Sequence, residues 1–132
     1  MMETACFTHG TANTGGPITD ISQPYYPNSS NPAAAGKPAI PILEIPDNGS
    51  LVDYVTGDEM IEIFNVNCFD APLRHPATFV FGFHPVSYDR SFHRRIEKVL
   101  AHIDSFLASN GEGPVVYETV SRVSSVFKDL PK

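Results

Sequence analysis

The feature that most constrains this chain is a short apolar stretch held between two prolines. Residues 77–83 read Ala-Thr-Phe-Val-Phe-Gly-Phe, with Pro76 before them and Pro85 just after. β-Branched and aromatic residues favour extended backbone, and here apolar residues occupy both alternating sets of positions. A strand that is apolar on both faces must be covered on both faces, as strands are in parallel sheets wrapped by helices. The sequence therefore predicts a buried strand over 77–83.

A helix and a second strand–helix pair follow this strand. Between Asp89 and Asn110, apolar residues recur every three or four positions, which is typical of an amphipathic helix: Phe92, Ile96, Val99, Leu100, Ile103, Phe106 and Leu107. Asp89 can cap its start, and Asn110-Gly111 supplies residues that end it. Residues 114–118 predict another strand and residues 120–127 a last short helix. Strand, helix, strand, helix with short connections favours right-handed parallel β/α units, hence an α/β fold.

The first part of the chain is built differently. Residues 1–50 hold seven of the twelve prolines, and we expect residues 1–38 to form an irregular Pro/Gly/Asn-rich segment. Residues 39–46 form a β-type run interrupted by prolines, which predicts an edge strand or a partly paired one. Residues 59–69 fit either a strand or a short helix. At 132 residues in all, the chain is about one domain long.

Charge and cysteine content exclude several classes of function. The formal net charge of −6 disfavours binding to nucleic acid or to an anionic membrane surface, and no apolar run reaches the roughly 20 residues that span a bilayer. Cys6 and Cys68 are too far apart for a CxxC motif, so a disulfide between them is permitted but nothing more is indicated. The first residues lack the basic and apolar regions of a signal peptide.

His84 is the candidate reactive residue, because it follows the predicted strand directly and lies between Gly82 and Pro85. Reactive groups of β/α folds collect at the C-terminal ends of strands. An imidazole there can act as a general acid or base or as a metal ligand, or it can simply hydrogen-bond a backbone carbonyl. His75 would lie at the other end of the strand, roughly 30 Å away, so the two cannot share one metal.

The remaining charged groups have plain explanations. His93 and His102 fall on opposite faces of the long helix, and we expect each to be solvated or at a rim. The acidic stretch fits no calcium loop and is expected to be solvated; it comprises Asp47, Asp53, Asp58, Glu59 and Glu62. A basic group on the long helix is likewise expected to face solvent; it comprises Arg90, Arg94, Arg95 and Lys98.

Two segments together resemble the end of a polysaccharide deacetylase domain. They are Phe81-Gly82-Phe83-His84-Pro85-Val86-Ser87-Tyr88 and, after the long helix, Pro114-Val115-Val116-Tyr117-Glu118-Thr119-Val120-Ser121. Upstream, Leu43-Glu44-Ile45-Pro46 is similar to the Glu-Ile-Pro strand of that family, and Thr19-Asp20-Ile21-Ser22 is similar to its Tyr-Asp-Ser-Ser segment. The resemblance covers residues 18–126.

This resemblance implies a partial (β/α) barrel and metal-dependent hydrolysis of N-acetyl groups on chitin-like or peptidoglycan-like glycans. In that family an Asp and two His hold a divalent metal, with zinc favoured, a second Asp acts as base, and a late His protonates the leaving amine. By match of motif, His84 is that late histidine. An acetylated polysaccharide or oligosaccharide is then the expected partner, and secretion or a cell-surface location is expected of the family.

The chain differs from the family because it lacks the motifs that carry the metal ligands and the catalytic base, which we call the metal side of the site. The Thr-Phe-Asp-Asp and His-x-x-x-His motifs have no counterpart, so residues 39–132 correspond to the C-terminal half and no metal ligand is assigned in this chain. We expect the chain to be inactive alone, and to expose a sheet edge through which it could self-associate. One alternative is a non-catalytic carbohydrate-binding or interaction module with Tyr25, Tyr26, Phe79 and Phe81 as stacking surface. Another is an inactive gene fragment.

Overall fold

The computed structural model describes residues 2–7, 23–32, 34–49, 51–69 and 76–129. Three strands and three helices alternate along them: β1 (Met2–Phe7), α1 (Gly57–Phe69), β2 (Pro76–Phe81), α2 (Arg90–Asp104), β3 (Val116–Glu118) and α3 (Val120–Phe127). Single 3₁₀ turns lie at Pro85–Ser87 and Ala108–Asn110. None of the helices in these ranges is both long and apolar enough to cross a membrane.

The sheet has the order β2-β1-β3, and β1 pairs antiparallel with both neighbours. Thr4 is the partner of Phe79 on one side and of Tyr117 on the other. β2 and β3 therefore run parallel to each other, but they are not adjacent as simple β/α units would be. β1 lies inside the segment that we expected to be irregular, so the structure differs there. The partial deacetylase-type barrel stays a prediction, and residues 8–22 lie outside the described part of the chain.

β2 is buried on both faces, as the sequence predicts. Ala77, Phe79 and Phe81 face a core shared with α1 and α2, while the alternate residues Thr78 and Val80 have no exposed surface. The ring of Phe79 meets that of Phe64 edge-to-face at 5.4 Å between centroids. The core is completed by Val52, Met60, Ile63, Cys68, Val99, Ile103 and Val115. Burial of these side chains, at about 1.5–3 kcal/mol for each large one, holds the helices against the sheet.

Residues 59–69 are helical, and a capping box explains why. The Thr56 hydroxyl accepts from the Glu59 backbone N–H at 3.2 Å, while the Glu59 carboxylate accepts from the Thr56 N–H at 2.6 Å. This reciprocal pair satisfies donors that a helix start leaves unpaired. The buried residues then follow helical spacing: Met60, Ile63, Phe64, Asn67 and Cys68.

α2 begins as predicted, since the Asp89 carboxylate accepts from the Phe92 N–H at 3.0 Å. It ends at Asp104, six residues before the predicted stop at Asn110. The cause is pairing with the chain that enters β3: Val115 donates to the Phe106 carbonyl and accepts from the Ala108 N–H. Backbone bound in this ladder cannot also continue the helix. Asn110-Gly111 ends the short 3₁₀ turn instead, with Gly111 at a φ of 71°.

Residues 39–46 are only partly paired, which is the second of the two alternatives that the sequence left open. Only single bridges form there, between Tyr25 and Glu44 and between Asn28 and Ala39. The prolines at 38, 41 and 46 explain this, because each removes a donor from the ladder.

The outer edge of β2 is hydrogen-bonded by the segment around Asn48. The Asn48 amide donates to the Thr78 carbonyl at 2.7 Å and accepts from the Val80 N–H at 2.8 Å. Gly49 then donates to the Val80 carbonyl, and a Cβ at position 49 would collide with that oxygen. Gln23 adds a second amide, which accepts from the Thr78 N–H at 2.7 Å. Within the described residues this edge is therefore paired; self-association through a sheet edge stays a prediction.

Cys68 is disulfide-bonded, and the only other cysteine of the sequence is Cys6. Within the chain, Cys6 is the one partner that the sequence offers. A bond between positions 6 and 68 closes a loop of about sixty residues, which constrains the unfolded chain more strongly than a short loop would.

Replacing Asn48 should destabilise the protein strongly. In Asn48→Ala the buried Thr78 carbonyl loses a donor and the Val80 N–H loses its acceptor, so we expect the free energy of unfolding to fall by about 3 kcal/mol. Urea denaturation measures this change. The control is Asn31→Ala, at an exposed amide, which should shift stability by less than about 0.5 kcal/mol. Equal stability of the two variants would contradict the bonding at this edge.

Reduction of the disulfide should lower stability by about 4 kcal/mol, the loop-closure value for a ring of this size. Urea denaturation with and without a phosphine reductant measures the difference. The double variant Cys6→Ser, Cys68→Ser should not respond to the reductant. A wild-type protein whose stability is equally indifferent to reductant would show that the bond is not formed.

Candidate functional site

The candidate site lies where β2 ends. Past Phe81 the chain continues through Gly82, which forms a parallel bridge with Leu51, to His84 directly before the 3₁₀ turn. Val52 donates to the Gly82 carbonyl at 2.9 Å. Residues 47–49 and 51–53 are thereby held beside the strand end, and they contribute two carboxylates to the site.

His84 is paired with Asp53. The ring Nδ1 lies 3.1 Å from Asp53 Oδ1, and the backbone N–H of His84 donates to Asp53 Oδ2 at 3.1 Å. The His84 side chain is 57% exposed, whereas that of Asp53 is 9% exposed. The sequence left open a histidine bonded to a backbone carbonyl; the structure shows a carboxylate as its partner. Asp53, expected to be part of a solvated acidic face, is instead largely buried.

Pairing with His84 lowers the pKa of Asp53. Desolvation acts to raise the pKa of Asp53, but the hydrogen bonds from the His84 backbone and ring outweigh it, and the net pKa lies below the usual value. A charged carboxylate at Nδ1 keeps the proton on that nitrogen. The other ring nitrogen, Nε2, has no hydrogen-bond partner among the described residues, so it is the atom able to exchange a proton with a bound molecule.

A second carboxyl, that of Asp47, lies over Gly82. A Cβ atom at position 82 would stand 3.2 Å from Asp47 Oδ2 and 3.1 Å from Leu51 Cδ2, so glycine admits both side chains to the strand end. Although the residue is partly exposed, desolvation of the carboxyl raises the pKa of Asp47 to about 6. Asp47 therefore holds a proton under mildly acidic conditions in which Asp53 is ionised.

Exposed apolar side chains adjoin the pair along the chain. Tyr54 follows Asp53 and is 77% exposed, and Val86 is 94% exposed. Phe83 and Tyr88 are also exposed, with ring centroids 5.6 Å apart. We call Tyr54, Phe83 and Tyr88 the aromatic rim. Apolar rings beside a polar pair form a surface that suits a molecule with both flat apolar faces and polar edges.

The prediction that four aromatic residues form an exposed stacking surface is wrong for three of them. Phe79 and Phe81 lie in the core, and Tyr26 is buried with its hydroxyl donating to the Lys128 carbonyl at 2.9 Å. Tyr25 is half-buried and its hydroxyl donates to the Pro32 carbonyl at 3.1 Å. The exposed rings are those of the aromatic rim, which the sequence pattern alone did not separate from the buried ones.

His93 and His102 are paired with groups other than Asp53. His93 is exposed and lies between the Tyr88 hydroxyl, at 2.9 Å, and Glu97, at 3.1 Å. His102, expected to be solvated or at a rim, is half-buried; its Nε2 lies 2.8 Å from Asn65 Oδ1, and desolvation lowers its pKa. His9 and His75 lie outside the described residues. In the described ranges no three His, Cys, Asp or Glu side chains cluster as a metal would require.

The basic group on α2 is only partly solvated. Lys98 is paired with Asp58 at 2.6 Å, an exposed contact worth little in stability. Arg95 instead is half-buried and donates from Nη1 to the Val52 carbonyl at 2.8 Å and to the Val55 carbonyl at 3.2 Å. The expected solvation therefore holds for Arg90, Arg94 and Lys98, which are exposed, but not for Arg95.

Removing the Asp47 carboxyl should change how stability depends on pH. The raised pKa means that the folded state holds this proton more tightly than the unfolded state, so the associated stability is complete below pH 3.8 and is lost as pH rises through about 6. Asp47→Asn should lack this loss and should be more stable than wild type at pH 7, by up to about 1 kcal/mol after solvent screening. Denaturation at a series of pH values measures it.

Asp129→Asn, at an exposed carboxyl, is the matched control and should follow the wild-type curve. If Asp47→Asn also follows that curve from pH 4 to 7, the Asp47 carboxyl is not desolvated in solution.

Comparison with protein-family models, with curated proteins and with solved structures finds no match for this chain.

Proposed function

We propose that the end of β2 is the leaving-group side of a hydrolase that removes acyl groups from amines, with His84 as general acid. The observation that carries the proposal is the His84–Asp53 pair: an exposed imidazole whose Nδ1 is held by a largely buried carboxylate. A carboxylate in this place orients the ring. It leaves Nε2 to do the chemistry.

The reaction needs such a group because an amine leaves poorly unless it is protonated as its bond to carbon breaks. A doubly protonated His84 ring gives its Nε2 proton to the departing nitrogen and keeps the Nδ1 proton against Asp53. The ring then regains a proton from solvent, to which it is exposed. Asp53 stays ionised throughout, which agrees with its lowered pKa.

The proposed substrate is an N-acetylated glycan of the chitin or peptidoglycan kind. The support is the resemblance of residues 81–88 and 114–121 to polysaccharide deacetylases, together with the aromatic rim, whose rings suit the apolar faces of sugars. The divalent metal of that family would polarise the acetyl carbonyl. The described residues do not fit it, since they contain no cluster of three metal-ligating side chains, and we route no step through a metal.

A non-catalytic glycan-binding module is the second candidate. The exposure of Tyr54, Phe83 and Tyr88 supports it, because stacking on rings requires no acid or base. The two candidates differ in what the acetyl group contributes. A leaving-group site contacts the acetamido nitrogen through His84, whereas a stacking surface binds the ring faces of acetylated and deacetylated sugars alike.

Titration with N-acetylchitotetraose, followed by NMR, tests the proposed function. At about 10 mM oligosaccharide we expect shifts of the His84 ring and of the Gly82 and Tyr54 amides, and a weaker response to the fully deacetylated tetramer. His84→Ala should abolish the preference for the acetylated form. Arg94→Ala, at an exposed position of α2 outside the aromatic rim, should retain it.

The same samples are assayed for acetate release with added zinc, and none is expected from this chain alone. Equal responses to the two tetramers would favour the binding module. No shift near residues 53–54 and 82–84 would overturn the proposal, and acetate release by the chain alone would contradict the missing metal side.

A further inference from the structure

We infer that Arg95 is a positioning residue that holds Asp53 against His84. Its Nη1 donates to the carbonyls of Val52 and Val55, at 2.8 and 3.2 Å. Val52 is the residue directly before Asp53, and Val55 is the residue directly after Tyr54. One guanidinium group thus fixes both ends of the short turn that presents the carboxylate and a residue of the aromatic rim.

The turn has a second anchor on its other side. Val52 donates to the Gly82 carbonyl, and the Tyr54 N–H donates to the Leu51 carbonyl at 3.0 Å. Without Arg95 the turn would still be attached to β2 at Val52. Its far end at Val55 would keep its packing against the core and its link to the capped start of α1 but would lose the hydrogen bond to its carbonyl, so the backbone that aims the Asp53 side chain would be held less firmly.

Arg95 is itself held in place. It is half-buried, and its guanidinium lies over the Phe92 ring at 5.2 Å from the centroid. α2 and the start of α1 also approach closely, since a Cβ at Gly57 would stand 3.2 Å from the Arg95 carbonyl oxygen. Because the two helices are this close, the Arg95 side chain can reach from α2 to the carbonyls of Val52 and Val55. The planar guanidinium suits two carbonyls that a lysine ammonium, more strongly hydrated, would reach less well.

The role of Arg95 matters to catalysis only under the proposed function, but the geometry can be tested without any substrate. The readout is the titration of the Asp53 carboxyl by ¹³C NMR, which reports contact with His84 directly. His84→Ala defines the midpoint of Asp53 without its partner, which we expect to lie above that of the wild type because the bonds from the His84 ring are lost.

Arg95→Met keeps an unbranched side chain over Phe92 and removes both hydrogen bonds. We expect the Asp53 midpoint to move upward by at least half of the shift that His84→Ala causes, and the Tyr54 amide to exchange about tenfold faster. Arg95→Lys should give a smaller shift in the same direction. Arg94→Met, on the exposed face of the same helix, should change neither quantity.

Urea denaturation of each variant checks that it is folded, and Arg95→Lys carries the test if Arg95→Met is not. An unchanged Asp53 midpoint in a folded Arg95 variant would overturn the inference. Loss of the oligosaccharide response with Asp53 titrating as expected would overturn the proposed function alone.

Discussion

The structure depends on the docking of residues 48–49 and 51–52 along the outer edge of β2. An edge strand offers unpaired N–H and C=O groups. Here the Asn48 amide bonds the Thr78 carbonyl and the Val80 N–H, the Gly49 N–H bonds the Val80 carbonyl, and the Val52 N–H bonds the Gly82 carbonyl. A side-chain amide can replace a backbone strand because it carries one donor and one acceptor face in the same plane. The docking also buries Val52 in the core. Both functional carboxylates follow from it, since Asp47 and Asp53 flank the docked segment.

The two carboxylates experience opposite environments although only six positions separate them. Asp53 is bonded twice by His84, which lowers its pKa, whereas Asp47 lies over Gly82 without such a partner and desolvation raises its pKa to about 6. Pairs of titratable groups whose environments separate their pKa values are characteristic of acid–base sites. The end of β2 thus offers one fixed anion, one group that titrates in mild acid, and an exposed imidazole.

The sequence predicts those parts of the fold that local patterns determine. β2, the start of α2 at Asp89 and the short α3 follow from apolar spacing and capping residues, and His84 lies at the predicted strand end. α1 could also have been predicted, since Thr56 and Glu59 form a capping box that the sequence shows. The end of α2 could not, because pairing of Phe106 and Ala108 with Val115 stops it.

Long-range contacts explain what the sequence left undetermined. β1 is a strand because both its edges are paired, and its own residues carry little β-signal. Asp53 and His84 are 31 positions apart, and no spacing rule connects them. Arg95 looks like one of several solvated cations until the turn at Val52 and Val55 is placed against it. The candidate site is thus assembled by tertiary docking, not by a motif contained in one segment.

Native-state hydrogen exchange tests the docking most directly. The amides of Gly49, Val52 and Val80 all take part in the bonds between the docked segment and β2. The account predicts that these three exchange only in the same opening that exposes the β2 amides paired with β1, with similar protection. Rapid exchange of Gly49, Val52 and Val80, with the amides facing β1 still protected, would show an open edge and contradict the account.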